Sequence, residues 1–401
     1  MKIAGIIAEY NPFHAGHEYH IQKTREETGC DYVVCVMAGA FTQRGEAAIM
    51  DKFARAECAL LCGADAVFEL PAVYAVRPAQ WFARGGVSIL NALGADVLSF
   101  GCETDDMALL KRVAEASLCE PEAFKARLRE GLKRGESFAR ARGAALSEAA
   151  GVENAFLDQP NVALALEYLK EMKRISSRMT PFAVKRSAPY RAEPENADGE
   201  WASASSVRRA MLTGRMGEAL SHLPEGARSV TAREAERGFS ASGALDSLIL
   251  WTLRSMKTED AERLPDGGEG LALRLLSAAK ECADVETLIS RVKCKRYTRA
   301  RIGRLIAGAL LGLPETPEGE PYLRLLGFKR LSAALLKELD ARSGGRIVSD
   351  SARLEGNADF EIEKRATDLW GLTTASDVYR AAGRERTQKF IMTDGAAFRR
   401  G

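Results

Sequence analysis

The sequence is poor in the residues that usually announce a metal centre, an exported protein or a membrane span. Only four histidines occur among 401 residues, and none of the eight cysteines belongs to a Cys-x-x-Cys pair. A zinc site is therefore not expected, and no metal ligands are assigned. The cysteine spacings do not read as a disulfide framework either. Cys58 and Cys62 lie four apart in an apolar helical stretch, and Cys30 and Cys35 flank an expected strand. Reduced, buried thiols in a cytoplasmic protein are the expectation. No segment approaches the ~20 apolar residues that span a bilayer, and Glu9 interrupts the opening apolar run too early for a signal peptide. No membrane partner is expected. Charge of one sign is also lacking: 57 basic residues face 55 acidic ones, a formal +2. Any nucleic-acid contact must come from a local patch rather than a global field.

What is present is a chain too long for one ordinary domain. Ile3 to Ala8, Tyr32 to Met37, Ala66 to Leu70 and Val97 to Phe100 are short apolar runs suited to strands buried on both faces. Amphipathic stretches from His17 to Glu27, Asp51 to Cys62 and Pro78 to Leu93 separate them, with Gly29, Gly63 and Gly94 placed to end helices. This rhythm predicts a doubly wound α/β fold with a parallel sheet, and a fifth strand over Phe182 to Lys185. Glu103 to Lys173 reads as charged, solvated helix, and Pro194 to Gly199 as a polar loop. A boundary near Leu223-Pro224 divides an α/β domain, 1–225, from a mostly α-helical C-terminal domain, 226–401. Helices are expected there over Leu245 to Ser255, Gly270 to Ala279, Val285 to Leu311, Pro321 to Leu339 and Thr367 to Tyr379.

Three of the four histidines, His14, His17 and His20, fall within seven residues just after the first expected strand. A strand entering a loop and then a helix delivers that loop to the carboxyl edge of the sheet, where open α/β folds bind ligands. Backbone donors at the helix start then face an anion. Gly16 permits close approach, and the imidazoles of His14 and His17 are suited to donate to phosphate oxygens as charge builds on a pentavalent α-phosphate. The plainer alternative is that one histidine caps the helix and the others sit on the surface.

The series Gly5-Ile6-Ile7-Ala8-Glu9-Tyr10-Asn11-Pro12-Phe13-His14-Ala15-Gly16-His17-Glu18-Tyr19-His20 resembles the opening of the bacterial tRNA(Met) cytidine acetate ligases, members of the HxGH nucleotidyltransferase superfamily. Further similar stretches are Gln43-Arg44-Gly45-Glu46 to Asp51-Lys52, Gly63-Ala64-Asp65 to Glu69-Leu70-Pro71, and Phe100-Gly101-Cys102-Glu103. Gln159-Pro160-Asn161, Lys185-Arg186-Ser187-Ala188, Ser203-Ala204-Ser205-Ser206-Val207-Arg208 and the run Lys293 to Arg301 follow in order. Ala15, Ala38 and Ala204 depart from the family pattern, and bear on substrate preference more than on the reaction.

The resemblance implies an enzyme that activates acetate with ATP, without acetyl-CoA, and places the acetyl group on N4 of the wobble cytidine of elongator tRNA(Met). ATP is then a co-substrate, and Mg2+ is expected to accompany it. By the same resemblance, Ile7, Ala8, Glu9, Tyr10, Asn11, Pro12, Phe13, His14, Ala15, Gly16, His17, Glu18, Tyr19 and His20 wrap the ATP, with His14 and His17 catalytic. Gly101, Asn161 and Arg186 match its other ATP contacts. Ser203, Ser205, Ser206 and Arg208 resemble the superfamily's second phosphate motif, and Lys23, Arg44, Lys52 and Arg55 are further candidates for phosphate or RNA. Each has a plainer structural reading: a turn glycine at Gly101, helix caps at Asn161 and Ser203, and surface charges at the lysines and arginines.

Arg291 to Arg304 carries seven cations, no acid and one aromatic residue, Tyr297. As a helix it would present a basic face, making Lys293, Lys295, Arg296, Tyr297, Arg299 and Arg301 candidates for tRNA contact, with Tyr297 stacked on an unpaired base. A solvated charged helix is the alternative. Two rival functions remain at this point: a small-molecule adenylyltransferase of the same superfamily, and an RNA-binding protein with a regulatory nucleotide site.

Overall fold

The structure is a computed structural model and describes residues 1–136, 138–186 and 203–394. The expected polar loop from Pro194 to Gly199, and Ser187 and Ala188, lie outside the described residues. Five parallel strands form where the apolar runs predict them: β1 (Ile3–Ala8), β2 (Tyr32–Ala38), β3 (Ala66–Leu70), β4 (Val97–Cys102) and β5 (Thr180–Lys185). Their order is β5-β4-β1-β2-β3. The chain therefore winds outward from β1 in both directions, which is the doubly wound arrangement. Almost every side chain of β2 and β3 is buried, as strands covered by helices on both faces require. One face packs on helices Ala79–Ala92 and Pro160–Arg174, and the other on Ala15–Thr28, Lys52–Leu61 and Glu225–Arg237.

The second half departs from the all-helical expectation. Residues 323–329, expected inside a helix from Pro321 to Leu339, form strand β6 (Leu323–Lys329), and the helix begins only at Ala333. β6 pairs antiparallel with β3, and the short strands β7 (Ile347–Val348) and β8 (Ile391–Thr393) pair with β6. Leucine-rich sequence favours helix locally, but the open edge of β3 offers unpaired backbone groups, and pairing outweighs propensity. The split expected at 225/226 thus assigns three strands of this sheet to the segment read as helical.

Between them, Asp246–Ser255, Leu271–Ala279, Val285–Val292 and Arg299–Leu311 gather around a separate core that includes Leu253, Leu275, Leu288 and Ile302. The single helix expected over Val285 to Leu311 is two, because Thr298 caps a new start, its hydroxyl accepting the Arg301 N–H at 3.3 Å. Likewise Thr367 to Tyr379 is not one helix: Ala358–Gly371 ends before a short turn at Asp377–Arg380. No helix among the described residues is long and apolar enough to cross a membrane. All eight cysteines are free; Cys119 and Cys294 are exposed, against the expectation of buried thiols.

Candidate functional site

At the carboxyl ends of β1, β4 and β5 lies a cavity of about 340 Å³. A larger hollow of about 1030 Å³, lined by Met1, Asp31, Asp96 and Thr180, opens at the opposite, amino edge of the sheet. Parallel sheets bind ligands at the carboxyl edge, and only there do the histidines gather.

The histidine loop is built by its own backbone. His14 is the N-cap of helix Ala15–Thr28: its Nδ1 accepts the Gly16 N–H at 3.0 Å, and the Nδ1 of His17 accepts the His14 N–H at 3.2 Å. This reciprocal cap puts an imidazole where serine and glutamate usually stand. With Nδ1 of each neutral ring accepting a hydrogen bond, the ring proton belongs on Nε2. Both histidines are thereby fixed as Nε2–H donors. Their rings lie 3.9 Å apart, and His17 packs edge-on against Tyr10 at 4.9 Å.

Burial keeps the rings neutral. His14 is lowered to about 3, first by desolvation and then by the charges of Arg186 and Arg208. Burial and the neighbouring His14 push His17 well down, and burial with Arg186 takes His20 to about 4. Neutral donors beside cations that make no ion pair among the described residues suit an anion brought from outside. So the cap reading and the phosphate reading of His14 hold together: the Nδ1 side caps the helix and the Nε2 side remains for a ligand.

Of the other expected residues, Ile7, Ala8, Glu9, Tyr10, Asn11, Gly16, Tyr19, His20, Gly101, Asn161 and Arg186 line this cavity, as do Arg44, Ser203, Ser205 and Arg208. Pro12, Phe13, Ala15 and Glu18 do not; Phe13 is fully buried in the core beneath the loop. Lys23 lies away from the cavity, paired with Glu26 at 3.2 Å and Glu27 at 3.7 Å on the outer face of its helix. Ser206 is turned into the cap of helix Ala204–Leu212, its N–H donating to Ser203 Oγ at 3.2 Å. Arg208 donates to the Asn11 carbonyl at 2.5 Å and to Ser205 Oγ at 3.3 Å, which ties the second serine motif to the histidine loop. Asn161 Nδ2 donates to Glu103 Oε1 at 2.8 Å, and the other oxygen of Glu103 accepts the Val162 N–H at 3.0 Å. Glu103 is therefore the carboxylate that caps helix Pro160–Arg174, and Asn161 sits at the cavity rim beside it.

Two candidates are corrected outright. Lys52 is 1% exposed and donates to Glu69 at 2.5 Å and Glu363 at 2.9 Å, with Glu385 as a third partner. Arg55 is fully buried and donates to the carbonyls of Met50, Glu9, Ala38 and Gly39, locking the ends of β1 and β2. Neither has a hand free for phosphate. Sequence reading also missed Ala79, Phe82, Phe100, Leu164 and Tyr168, which give the cavity its apolar wall. A signal existed: Asn161, Leu164 and Tyr168 follow one helical face at i, i+3 and i+7.

The basic run behaves differently from its reading as one open face. Arg299 pairs with Glu286 at 2.7 Å, Arg301 with Glu269 at 2.8 Å and Arg304 with Asp266 at 2.6 Å. Tyr297 is 6% exposed, packs in the helical core, and its hydroxyl donates to the Glu269 carbonyl at 2.6 Å. With Arg274, Arg296 and Arg301 each within 6 Å of its ring, it has no open face for a base. Lys293, Lys295 and Arg296 remain exposed.

A family model described as HIGH nucleotidyl transferase matches residues 1–385 of the chain. The tRNA(Met) cytidine acetate ligase of a Thermoanaerobacter species is 36% identical over 386 residues, covering 93% of this chain and 95% of that protein. The corresponding Acetivibrio thermocellus ligase is 34% identical over 416 residues, covering 98% and 100%. Among solved structures, apo Thermotoga maritima TmcAL superposes with a TM-score of 0.89 at 30% identity, covering 98% of this chain and 100% of that one. The same protein bound with alpha-thio ATP gives 0.87, again at 30% identity, covering 98% and 99%.

Proposed function

Because this chain belongs to the HIGH nucleotidyl transferases, among the tRNA(Met) cytidine acetate ligases, we propose that it uses ATP to acetylate a cytidine of elongator tRNA(Met), with acetate as the acyl source. The observation that carries the reading is the reciprocal histidine cap. It leaves two neutral Nε2–H donors on a cavity that also holds Arg186, Arg208, Ser203 and Ser205.

The chemistry runs in two displacements. A carboxylate oxygen of acetate attacks the α-phosphorus of ATP, the new P–O bond forms, and the bridging bond to the β-phosphate breaks to release pyrophosphate. The exocyclic amine of the wobble cytidine then attacks the acetyl carbonyl of acetyl-AMP, AMP leaves with the bonding pair, and the amine sheds a proton. Acetate needs this activation because its oxide is a poor leaving group. His14 and His17 donate to the oxygens that gain charge at the α-phosphorus, while Arg208, Ser203 and Ser205 receive the departing pyrophosphate. A Cβ on Gly101 would stand 3.6 Å from the Arg186 stem, so the glycine leaves room for the nucleoside beside that cation.

Mg2+ would arrive on the phosphates rather than in a carboxylate cage. The two acids lining the cavity are already engaged: Glu9 accepts the Gln43 N–H at 2.7 Å, and Glu46 lies 3.8 Å from Arg299. Exposed Lys293, Lys295 and Arg296 are the cations best placed to meet tRNA phosphates.

Incubating the protein with ATP, acetate and a tRNA(Met) transcript, then digesting the RNA for mass spectrometry, should reveal N4-acetylcytidine only when all three are present. Its absence under those conditions, with a free dinucleotide formed instead, would replace this reading with a small-molecule adenylyltransferase.

A further inference from the structure

A hairpin after β2 reaches over the cavity and meets the basic helix backbone to backbone. Ala48 N–H donates to the Ala40 carbonyl at 2.9 Å, Phe41 and Ala47 form a bridge, and Thr42 N–H donates to the Glu46 carbonyl at 2.9 Å. Gln43 N–H fixes the hairpin to the exit of β1 through Glu9 at 2.7 Å. Thr42, Gln43, Arg44 and Glu46 line the cavity, and the charges of Glu46 and Arg44 act on Arg208 across it.

The remaining tip residue is Gly45, with φ of 74°. A Cβ there would stand 2.2 Å from the Gly303 carbonyl oxygen, and a Cβ on Gly303 would stand 2.3 Å from the Arg44 carbonyl oxygen. Both are far inside the 3.0 Å that real Cβ contacts respect. Gly303 lies in helix Arg299–Leu311, whose first residue Arg299 also reaches Glu46 at 3.8 Å. No side chain separates the two backbones, so a shift of the helix passes directly to the hairpin.

We propose that Gly45 and Gly303 are positioning residues: their contact lets helix Arg299–Leu311 set the height of the hairpin, and with it the reach of Arg44 over the ATP triphosphate. This rests on the acetate-activating reading of the cavity. It adds a mechanical link from the segment that carries the exposed lysines to the nucleotide.

Gly303→Ala tests it with one methyl group. Alanine suits a helix better than glycine, so the fold should persist. Gly308→Ala is the control on the same helix, because its Cβ would meet nothing nearer than 3.8 Å. In acetate-dependent ATP–pyrophosphate exchange without tRNA, Gly303→Ala should raise KM for ATP about tenfold or more. KM for acetate and the unfolding midpoint should hold, and Gly308→Ala should match wild type. An unchanged KM for ATP in folded Gly303→Ala overturns the proposal, as does an equal rise in Gly308→Ala. If Gly303→Ala does not fold, Arg299→Gln decides: a smaller rise in the same KM supports the brace, and no rise overturns it. Wild-type protein without exchange would strike the acetate-activation reading instead.

Discussion

Two sets of cations share this α/β body and are held in opposite ways. Arg186 and Arg208 line the cavity, and neither makes an ion pair among the described residues. Burial lowers both below the ordinary guanidinium range, only partly opposed by Glu103 for Arg186 and by Glu46 and Glu9 for Arg208. On the far side of β2 and β3, Lys52 and Arg324 sit among Glu69, Glu363 and Glu385. Burial alone would lower these two cations as well, yet the carboxylates raise both above their ordinary values. Tyr322 adds a hydroxyl to Glu69 at 3.0 Å, and Thr367 another to Glu385. The three carboxylates come close enough to hold a metal ion, but the Lys52 ammonium already binds all three. Neutralisation from within marks structure; a cavity-lining cation with no carboxylate paired to it among the described residues marks a place for a ligand.

The largest break in this contrast should come at the histidine pair. His17→Ala removes one fixed Nε2–H donor and the partner of the His14 N–H, and should lower acetate-dependent exchange by about 10²–10³-fold. tRNA binding should hold, since the exposed lysines are untouched, and so should most of the stability. Gel-shift and exchange assays on one preparation separate the two effects. Wild-type turnover in the variant would remove the histidines from the chemistry.

A matched pair of variants sharpens the comparison further. Lys52→Met strands three buried carboxylates around one remaining cation and should cost about 3–5 kcal/mol in urea unfolding. Protein that still folds should keep its KM for ATP. Arg186→Gln should do the reverse: KM for ATP rises about 10–100-fold as a charge-assisted contact is lost, while the unfolding midpoint stays level or climbs. Equal losses of stability and ATP affinity in both variants would erase the distinction between the two sets.

That distinction is what the sequence could not display. Lys52, Arg55, Arg186 and Arg208 all read as phosphate candidates, because a cation looks the same whether it awaits a phosphate or already holds a carboxylate. Glu363, which engages Lys52, lies 311 residues away along the chain. Strands β1 to β4 were legible because burial on both faces writes a local apolar run. The histidine loop was legible because its donors are neighbours in sequence. β6 was not, since only the open edge of β3 selects strand over helix for Leu323–Lys329. Tyr297 was read as a stacking residue from its basic company, but that company packs around a ring already committed to the helical core. Long-range partners decided the misreadings of Lys52, β6 and Tyr297.

The smallest effect concerns pH, and there the two regions pull in opposite directions. His14 and His20 fall from the ordinary 6.5 to about 3 and about 4, burial being the first cause. The unfolded chain therefore takes up more protons than the native one below about pH 6.5, and these rings favour the native state fully above that pH and lose their contribution as it falls. The free-enzyme kcat/KM for ATP should show no inflection from them between about pH 6 and 8. Glu363 moves the other way, up from 4.5 to about 7, through burial and then the Glu69 charge, against the pull of Lys52. Here the native state binds the extra proton, so its contribution is full below 4.5 and is lost as pH rises through about 7. Wild-type stability between about pH 5 and 7 thus carries two slopes of opposite sign. Glu363→Gln deletes one of them, and unfolding free energies across that window should then rise more steeply with pH than in wild type. A slope left unchanged would mean that Glu363 stays ionised throughout, with Lys52 and Arg324 balancing all three carboxylates by themselves.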